Sequence, residues 1–335
     1  MSIGNLSLRG LAARLGIVAA AALGILGSTQ VHAQQDKEFR IGWQKGASIA
    51  LVKALGYLDE RLTREGVKVR WIEFTAGPQM LEGLNVGSID FASVGETPPV
   101  FAQAAGANLV YVGNEPAAPR AEKLLVPKNS PIKSVKELKG KRIALNKGSN
   151  VHYLLVKLLE REGLKYSDVK VAFLPPADAR AAFESGSVDA WVIWDPFGAA
   201  AEAQIGARIL ADGTGVVNNY IFYLAARPFA EKHPEVLVSA IEEVNRSGAW
   251  TVANYDEAAR ILAPQIGLTP EIARVAVERY AYGLKPLTAD VIRQQQEIAD
   301  VFFELKLIPK KLDVASVVWQ PKKLDVAATA GQKKN

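Results

Sequence analysis

The sequence of 335 residues contains no cysteine, and it has only three histidines and two methionines. The lack of cysteine excludes disulfide bonds, metal sites with thiolate ligands and a cysteine nucleophile. The sequence also lacks the motifs G-x-S-x-G, H-E-x-x-H and G-x-x-x-x-G-K-[ST], and it shows no spacing typical of metal ligands. We therefore expect a protein that is not an enzyme and that needs neither a cofactor nor a metal ion.

A strong charge of either sign is also missing. The formal net charge is +5, and it falls to +3, from 38 basic and 35 acidic residues, once a leader that contains Arg9 and Arg14 is removed. The basic residues are scattered and are not interleaved with aromatic residues along a stripe, so we expect no nucleic-acid partner. A small positive excess suits an anionic ligand, and it suits solubility equally well.

The N-terminus has the pattern of an export signal. Residues 1–33 contain two arginines, no acidic residue, an apolar run over residues 17–26, and small residues before Ala33. That run is too short to span a bilayer, so we predict a signal peptide that is cleaved near Ala33 and a periplasmic protein. A retained membrane anchor is the alternative. At the other end, residues 321–335 predict a flexible tail.

The rest of the chain contains an internal repeat. Residues 45–48 (KGAS) and 147–150 (KGSN) each open a helical stretch, and they lie 102 residues apart. Residues 87–90 (GSID) and 186–189 (GSVD) lie 99 residues apart, each before an apolar strand. Two copies of one βαβ-type unit predict two similar lobes with a cleft between them. Asp90 and Asp189 begin strands, away from such a cleft, which favours a structural turn.

Short apolar strands alternate with helical segments through both copies, which is typical of an α/β fold with mostly parallel sheets. The pattern changes after residue 218. One strand over residues 220–225 precedes a run of predicted helices, punctuated by Gly267, Pro286 and Pro309. These helices are predicted over residues 234–252, 255–266, 270–282 and 289–305.

Two segments resemble a known family. Residues 146–197, with the runs KGSNVHYLL and PPADARAAF, and residues 95–113 closely resemble the aliphatic sulfonate-binding proteins of ABC importers. The resemblance covers essentially the whole mature chain. It implies a two-lobed, type II periplasmic binding protein, with lobe one formed by residues 36–119 and 226–320 and lobe two by residues 120–225.

The same resemblance implies the function and the partners. We expect the protein to capture an aliphatic sulfonate and to deliver it to a membrane permease that is driven by a separate ATPase subunit. A monomer is expected, because docking to the transporter needs the surfaces of both lobes. Taurine, nitrate, bicarbonate or a thiamine-type pyrimidine are alternative ligands. A thiamine-pyrimidine-type enzyme is an alternative of another class, against which the export signal and the lack of cysteine argue.

The ligand is expected at the carboxyl ends of the strands, where helices begin. A helix start leaves backbone N–H groups unpaired and carries a partial positive charge, so it attracts anions. Three such starts follow predicted strands, at residues 46–48, 95–98 and 148–150. Simple helix capping is the alternative for each of them. From these segments we expect contacts to the sulfonate or close backbone approach by Gln44, Gly95, Glu96, Thr97, Ser149 and Asn150.

Three further residues are candidates for the site. His152 lies near a helix start, so we expect a neutral imidazole that either donates to the ligand or packs in the interior. Trp194 ends a predicted strand and is expected to cover the alkyl tail, and Asp195 is expected to pair with an amino group of the ligand or to brace the hinge. A core tryptophan with a strand-end aspartate is the alternative. Tyr153 and Phe222 are weaker candidates for the tail.

Overall fold

The computed structural model describes residues 37–46 and 48–320; the predicted signal peptide and C-terminal tail lie outside these residues. The strands are β1 (Lys37–Trp43), β2 (Val67–Glu73), β3 (Phe91–Gly95), β4 (Leu109–Asn114), β5 (Glu122–Val126), β6 (Arg142–Leu145), β7 (Lys170–Phe173), β8 (Ala190–Trp194), β9 (Arg208–Asp212) and β10 (Ile221–Ala226). The helices are α1 (Ile49–Leu55), α2 (Tyr57–Arg64), α3 (Gly77–Asn85), α4 (Pro98–Ala104), α5 (Asn150–Arg161), α6 (Pro176–Glu184), α7 (Phe197–Ile205), α8 (Arg227–Lys232), α9 (Pro234–Ala253), α10 (Tyr255–Ile266), α11 (Pro270–Arg279) and α12 (Ala289–Glu304). Within this part of the chain, no helix is both long and apolar enough to cross a membrane.

The strands form two sheets that share one plan. The first sheet has the order β2-β1-β3-β10-β4, and the second has the order β7-β6-β8-β5-β9. In each sheet three neighbouring strands run parallel, and the fourth strand, β10 or β5, is antiparallel to both of its neighbours. The matching orders confirm the two lobes that the sequence repeat predicts.

One predicted boundary between the lobes is wrong. The strand over residues 220–225 was assigned to lobe two, but β10 pairs with β3 and β4 in the first sheet. The reason is that the fourth strand of each sheet comes from a segment that has crossed from the other sheet. The chain crosses over residues 115–121, before β5, and over residues 213–220, before β10. The fourth strand of the first sheet, β10, therefore follows all strands of the second sheet in the sequence.

The C-terminal helices follow the prediction closely, with one difference. Helices α9 and α10 pack against α1 and α2 of the first lobe. Helix α11 ends at Arg279, three residues before the predicted end, because Tyr280 has an extended backbone with φ −81° and ψ 158°. Strand β9 was not predicted. It lies at the edge of the second sheet and is partly exposed along its length, so its sequence lacks a clear alternation of apolar and polar residues.

The turns with the GS-[IV]-D sequence close the amino ends of β3 and β8. Asp90 Oδ2 accepts a hydrogen bond from the backbone N–H of Arg40 at 2.8 Å, and Asp189 Oδ2 accepts the equivalent bond from Arg142 at 2.8 Å. Gly87 and Gly186 both have φ +72°, which only glycine adopts without strain. The structural role predicted for the two aspartates is confirmed. Both lie at the amino ends of their strands, so the cleft is at the carboxyl ends.

Candidate functional site

A narrow cavity lies between the two lobes at the carboxyl ends of the strands. Residues of both lobes contribute to it, and none of these lining side chains carries a formal charge. The lining residues are Gln44, Gly77, Gly95, Pro98, Ser149, Asn150, Trp194, Asn219, Ile221 and Tyr280. Five of the nine predicted site residues are among them, while Glu96, Thr97, His152 and Asp195 are not.

The convergence of these residues follows from the sheet topology. Gln44 comes directly after β1, Gly95 ends β3, and Trp194 ends β8. Carboxyl ends of parallel strands meet at one edge of a sheet, and in a doubly wound sheet that edge is where ligands bind. Ser149 and Asn150 open helix α5, which places the positive end of its dipole at the same edge.

Glycine allows the two lobes to touch at the cavity. A Cβ atom on Gly95 would lie 2.8 Å from Cγ of Asn150, which is closer than real Cβ contacts. Gly46, with φ +124°, approaches the backbone of Asp195, and a Cβ atom there would lie 2.7 Å from its carbonyl oxygen. Gly95 was expected to let the backbone approach a ligand; in this structure it lets Asn150 of the other lobe approach.

Three uncharged polar groups near the cavity are buried and have no partner among the described residues. They are Thr97 Oγ1, Trp194 Nε1 and Gln44 Oε1. Gln44 and Trp194 line the cavity, and Thr97 lies between the lining residues Gly95 and Pro98. Buried polar groups are almost always hydrogen-bonded, so unpaired ones beside a cavity are strong candidates for ligand contacts.

Other predicted donors already have acceptors within the protein. Ser149 Oγ donates to the carbonyl oxygen of Asn146 at 2.7 Å. Asn150 Nδ2 donates to Glu122 Oε2 at 2.7 Å and to Asn219 Oδ1 at 2.9 Å, which uses both of its hydrogens. The side chains of Ser149 and Asn150 therefore have no hydrogen left for an anion. The groups at this helix start that can donate to an anion are the backbone N–H groups in the first turn of α5.

His152 belongs to the interior and not to the cavity. Its Nε2 atom lies 2.7 Å from the Tyr166 hydroxyl, and its Nδ1 atom accepts from the backbone N–H of Gly148 at 3.3 Å. The rings of Phe101 and Phe302 surround it. Burial lowers the pKa of the imidazole to about 4, so it is neutral, as predicted. Both ring nitrogens are occupied by protein groups, which favours the interior packing role over a direct ligand contact.

Asp195 is held by a buried ion pair. Its Oδ2 atom lies 2.6 Å from Lys123 Nζ and 3.4 Å from Arg279 of helix α11, and its Oδ1 atom accepts from the backbone N–H of Ala199. The side chains of Asp195 and Lys123 are both fully buried. An amino group of a ligand would have to displace this lysine, which favours the bracing role of Asp195 over pairing with the ligand.

Glu96 lies behind the cavity, next to the crossing segment. Its Oε2 atom accepts from the backbone N–H of Tyr220 at 3.0 Å, and Gln295 donates to its backbone carbonyl at 2.6 Å. Burial raises the pKa of the carboxyl group to about 7. Burial also raises the pKa of Glu122, and the charge of Glu96 adds to this effect. The two carboxyl groups are thus close enough to influence each other.

Sequence patterns did not indicate several residues of the site. Asn219 and Ile221 come from the second crossing segment and β10, and Tyr280 follows α11. Asn219 has φ +51°, but asparagine alone does not predict such a conformation. Tyr280 donates its hydroxyl hydrogen to the carbonyl oxygen of Asp195 at 2.6 Å and so joins the two lobes. The segments whose motifs carry the family resemblance, residues 95–113 and 146–197, do not include these three residues.

Comparison with known proteins shows the family to which the chain belongs. The family described as "NMT1/THI5 like" matches residues 47–258. The periplasmic aliphatic sulphonate binding protein SsuA from Escherichia coli is 46% identical, with 86% of this chain and 94% of that chain covered and a TM-score of 0.79. The alkanesulfonate-binding protein SsuA from Xanthomonas axonopodis pv. citri, solved bound to MOPS, is 42% identical, with coverage of 85% and 98% and a TM-score of 0.81.

A more distant relative has another named ligand. The taurine-binding periplasmic protein of Escherichia coli (strain K12) is 28% identical over 203 residues, which are 59% of this chain and 62% of that protein. The stronger matches cover nearly all of the solved SsuA chains and agree with the two sheets described above. The resemblance seen in the sequence is therefore confirmed, and this chain belongs to the family of periplasmic aliphatic sulfonate-binding proteins.

Proposed function

We propose that this protein captures an aliphatic sulfonate between its lobes and delivers it to the permease of an ABC importer. The observation that carries the proposal is a cavity without charged side chains, beside which Thr97 Oγ1 and Trp194 Nε1 are buried and unpaired within the described residues. A sulfonate is a permanent anion whose oxygens only accept hydrogen bonds. The hydroxyl group of Thr97 and the indole N–H of Trp194 are uncharged donors, so they match these oxygens.

The start of α5 supplies the compensating charge. An anion at a helix N-terminus is stabilised by about 0.3 to 1 kcal/mol when it is exposed and by up to ~2 kcal/mol when it is partly buried. Together with the Thr97 and Trp194 donors and contact with the alkyl chain, these terms are compatible with micromolar affinity, about 8 kcal/mol. Trp194 then serves the head group through Nε1, while its ring lies against the chain of the ligand.

The lining also favours simple alkanesulfonates over taurine. Taurine carries an ammonium group, which needs a carboxylate or several acceptors once it is buried. Asp195 is occupied by Lys123, and no acidic side chain is among the ten lining residues. We therefore assign the preference to sulfonates with an apolar tail.

Lobe closure couples binding to delivery. A ligand that contacts donors on both lobes binds the closed form more tightly than the open form, so it shifts the population toward closure. The closed form is the one presented to the permease, which a separate ATPase subunit drives. The protein acts in the periplasm as a monomer after export by the leader of residues 1–33.

Calorimetric titration of residues 34–335 with ethanesulfonate tests the proposal. The buffers must be free of sulfonates, because a relative is bound to MOPS. Thr97→Val and Trp194→Phe each remove one donor and are expected to weaken binding by about tenfold or more. Trp191→Phe is the matched control, since its Nε1 atom is also buried and unpaired but the residue does not line the cavity.

The outcomes separate the alternatives. Binding of ethanesulfonate that taurine, sulfate and nitrate compete for only weakly supports the proposal. Tight binding of taurine or nitrate instead would move the protein to a neighbouring ligand class with the same fold. Equal affinity of the Trp194→Phe and Trp191→Phe variants would show that Trp194 Nε1 does not donate to the head group.

A further inference from the structure

Two buried carboxyl groups from different lobes meet beside the cavity. Glu96 follows β3 of the first lobe, and Glu122 begins β5 of the second lobe. The exposed fraction is 1% for Glu96 and 0% for Glu122. Neither residue has a cation as its hydrogen-bond partner in the described part of the chain, which is unusual for buried acids.

Each of these carboxyl groups has one satisfied oxygen and one unsatisfied oxygen. Glu96 Oε2 accepts from the backbone of Tyr220, and Glu122 Oε2 accepts from Asn150 Nδ2. Glu96 Oε1 and Glu122 Oε1 are buried and have no partner among the residues that the structure describes. An unpaired oxygen on an ionised buried carboxylate is costly, whereas a protonated carboxyl group can act as a donor.

Asn150 connects this pair to the ligand cavity. Its amide group binds Glu122 and Asn219, and its side chain lies against Gly95, the residue before Glu96. Asn150 itself lines the cavity and opens helix α5. An anion in the cavity is therefore separated from Glu122 by one side chain.

The surroundings neutralise the pair only in part. Burial raises the pKa of Glu122 most strongly, and the charge of the neighbouring Lys123 lowers it, while the Lys123 ammonium group is itself bound to Asp195. Asp212 of β9 adds a further negative charge to the environment of Glu122. Tyr153 of α5 lies near Glu96, and its hydroxyl is uncharged.

A groove on the outer side of Glu96 is also negative overall. Its charged residues are Lys157 of α5 and three acids of α12, namely Glu297, Asp300 and Glu304. No histidine lines this groove or the cavity within the described residues. Glu96 and Glu122 are therefore the groups beside the cavity that we expect to titrate between neutral and mildly acidic pH.

We propose that closure around an anionic ligand takes up a proton at the Glu96 and Glu122 pair, so that the sulfonate and a proton bind together. This inference rests on the proposed function, since it requires an anion in the cavity. A proton on the pair removes the repulsion between the two carboxylates and between them and the ligand. When the lobes separate, water reaches both carboxyl groups, and their ionised forms are stabilised again.

The pKa shifts agree in direction with this geometry. Burial raises the pKa of Glu96 to about 7, and burial with the Glu96 charge raises the pKa of Glu122 well above its usual range. Both carboxyl groups are protonated in either state at a pH well below their ordinary pKa, so affinity is highest there. Affinity falls as the pH rises from the ordinary carboxyl pKa through the raised value, by up to about tenfold per pH unit for each proton taken up.

Calorimetry with ethanesulfonate from about pH 5 to about pH 8.5 tests this coupling. Phosphate and Tris differ widely in ionisation enthalpy and contain no sulfonate, so a difference in the observed heat at one pH reports proton uptake directly. We expect the affinity to fall with rising pH from the lower end of this range upward, together with a buffer-dependent heat. Binding with constant affinity and no buffer dependence would overturn the inference. Lack of binding at every pH would refute the proposed function itself.

Three variants localise the proton. Glu96→Gln and Glu122→Gln each remove one titratable group, so each is expected to flatten the pH dependence and to reduce the proton uptake. Glu115→Gln is the matched control, because Glu115 is equally buried but bonds to Ser48 and Tyr223 within the first lobe. If both Glu96→Gln and Glu122→Gln keep the full slope and proton uptake while remaining folded by circular dichroism, the pair is not the site of uptake.

Discussion

Glu96 and Asp195 occupy the same place in the two halves of the molecule, and their surroundings are opposite. The registers Ile221 with Gly95 and Glu122 with Trp194 show that β3 and β8 end at equivalent points, one residue before each acid. Asp195 has a lysine at 2.6 Å, while Glu96 has only backbone donors. The repeat thus preserves a buried carboxyl group at this place, and the two copies differ in whether its partner is a cation or a set of backbone donors.

The residues just before these acids differ in a related way. Gly95 and Trp194 both end their strands and both line the cavity. Gly95 offers no side chain and lets Asn150 approach, whereas Trp194 offers a buried N–H group. One lobe therefore supplies space at the equivalent position, and the other supplies a donor. Divergence between the copies has produced two complementary halves of one site.

Removing the cation that pairs with Asp195 is expected to have the largest effect on stability. Lys123→Met leaves a buried aspartate without its closest counter-ion, and we expect a loss of about 3 to 5 kcal/mol in the free energy of unfolding. Urea denaturation followed by circular dichroism measures it. Adding Asp195→Asn to Lys123→Met should recover part of the loss. The control Lys37→Met removes an exposed pair with Glu235 and should change stability by under about 1 kcal/mol. Similar losses in both single variants would contradict a special role for the buried pair.

A third carboxyl group separates the effect of burial from the effect of lobe closure. Glu115 also lacks a cation, and burial raises its pKa to about 8, but its hydrogen-bond partners belong to the first lobe. Its folded-state pKa is above the unfolded value, so the ionised form destabilises the fold. We expect stability to be unaffected by this group below the unfolded pKa and to fall as the pH rises through about 8.

Denaturation of the wild type and of Glu115→Gln at pH values across this range checks the expectation. The variant should lose on the order of 2 kcal/mol less than the wild type between mildly acidic and alkaline pH. Parallel pH profiles for the two proteins would contradict it.

Gly95→Ala tests the space that the first lobe supplies. The added Cβ atom would lie 2.8 Å from Asn150 of the second lobe, so the closed form must open slightly or displace that side chain. Overpacking of this kind costs about 1 to 3 kcal/mol, which corresponds to roughly tenfold to a hundredfold weaker ligand binding. Because the clash occurs between lobes, the urea midpoint of the ligand-free protein should change little. A large fall in that midpoint with unchanged affinity would contradict this explanation.

The fold was largely predictable because it depends on local patterns that occur twice. The spacing of the GS-[IV]-D turns and of the helix starts predicts two equivalent units, and helices such as α9 and α10 match within one residue of their predicted bounds. The sheet membership of β10 was not predictable in this way. It depends on a chain crossing between lobes, and a strand of either sheet would have the same apolar sequence.

The site was predictable only in part, for a related reason. The rule that ligands bind at the carboxyl ends of strands brought Gln44, Gly95 and Trp194 together correctly. Hydrogen-bond partners, however, are set by tertiary structure. No sequence pattern indicates that Asn150 donates both amide hydrogens to Glu122 and Asn219, or that Lys123 donates to Asp195.

Ser149→Ala is the smallest expected effect, and it distinguishes the side chain of the helix start from its backbone. The Ser149 hydroxyl donates to Asn146 inside the second lobe, so its removal should change sulfonate affinity by less than about threefold, while Thr97→Val costs about tenfold. Calorimetry on both variants measures the difference. The backbone N–H groups of α5 are unchanged in Ser149→Ala and continue to face the anion. A loss as large as that of Thr97→Val would mean that the Ser149 hydroxyl turns from Asn146 to the ligand on binding, so that this helix start would contribute through its side chain as well as its backbone.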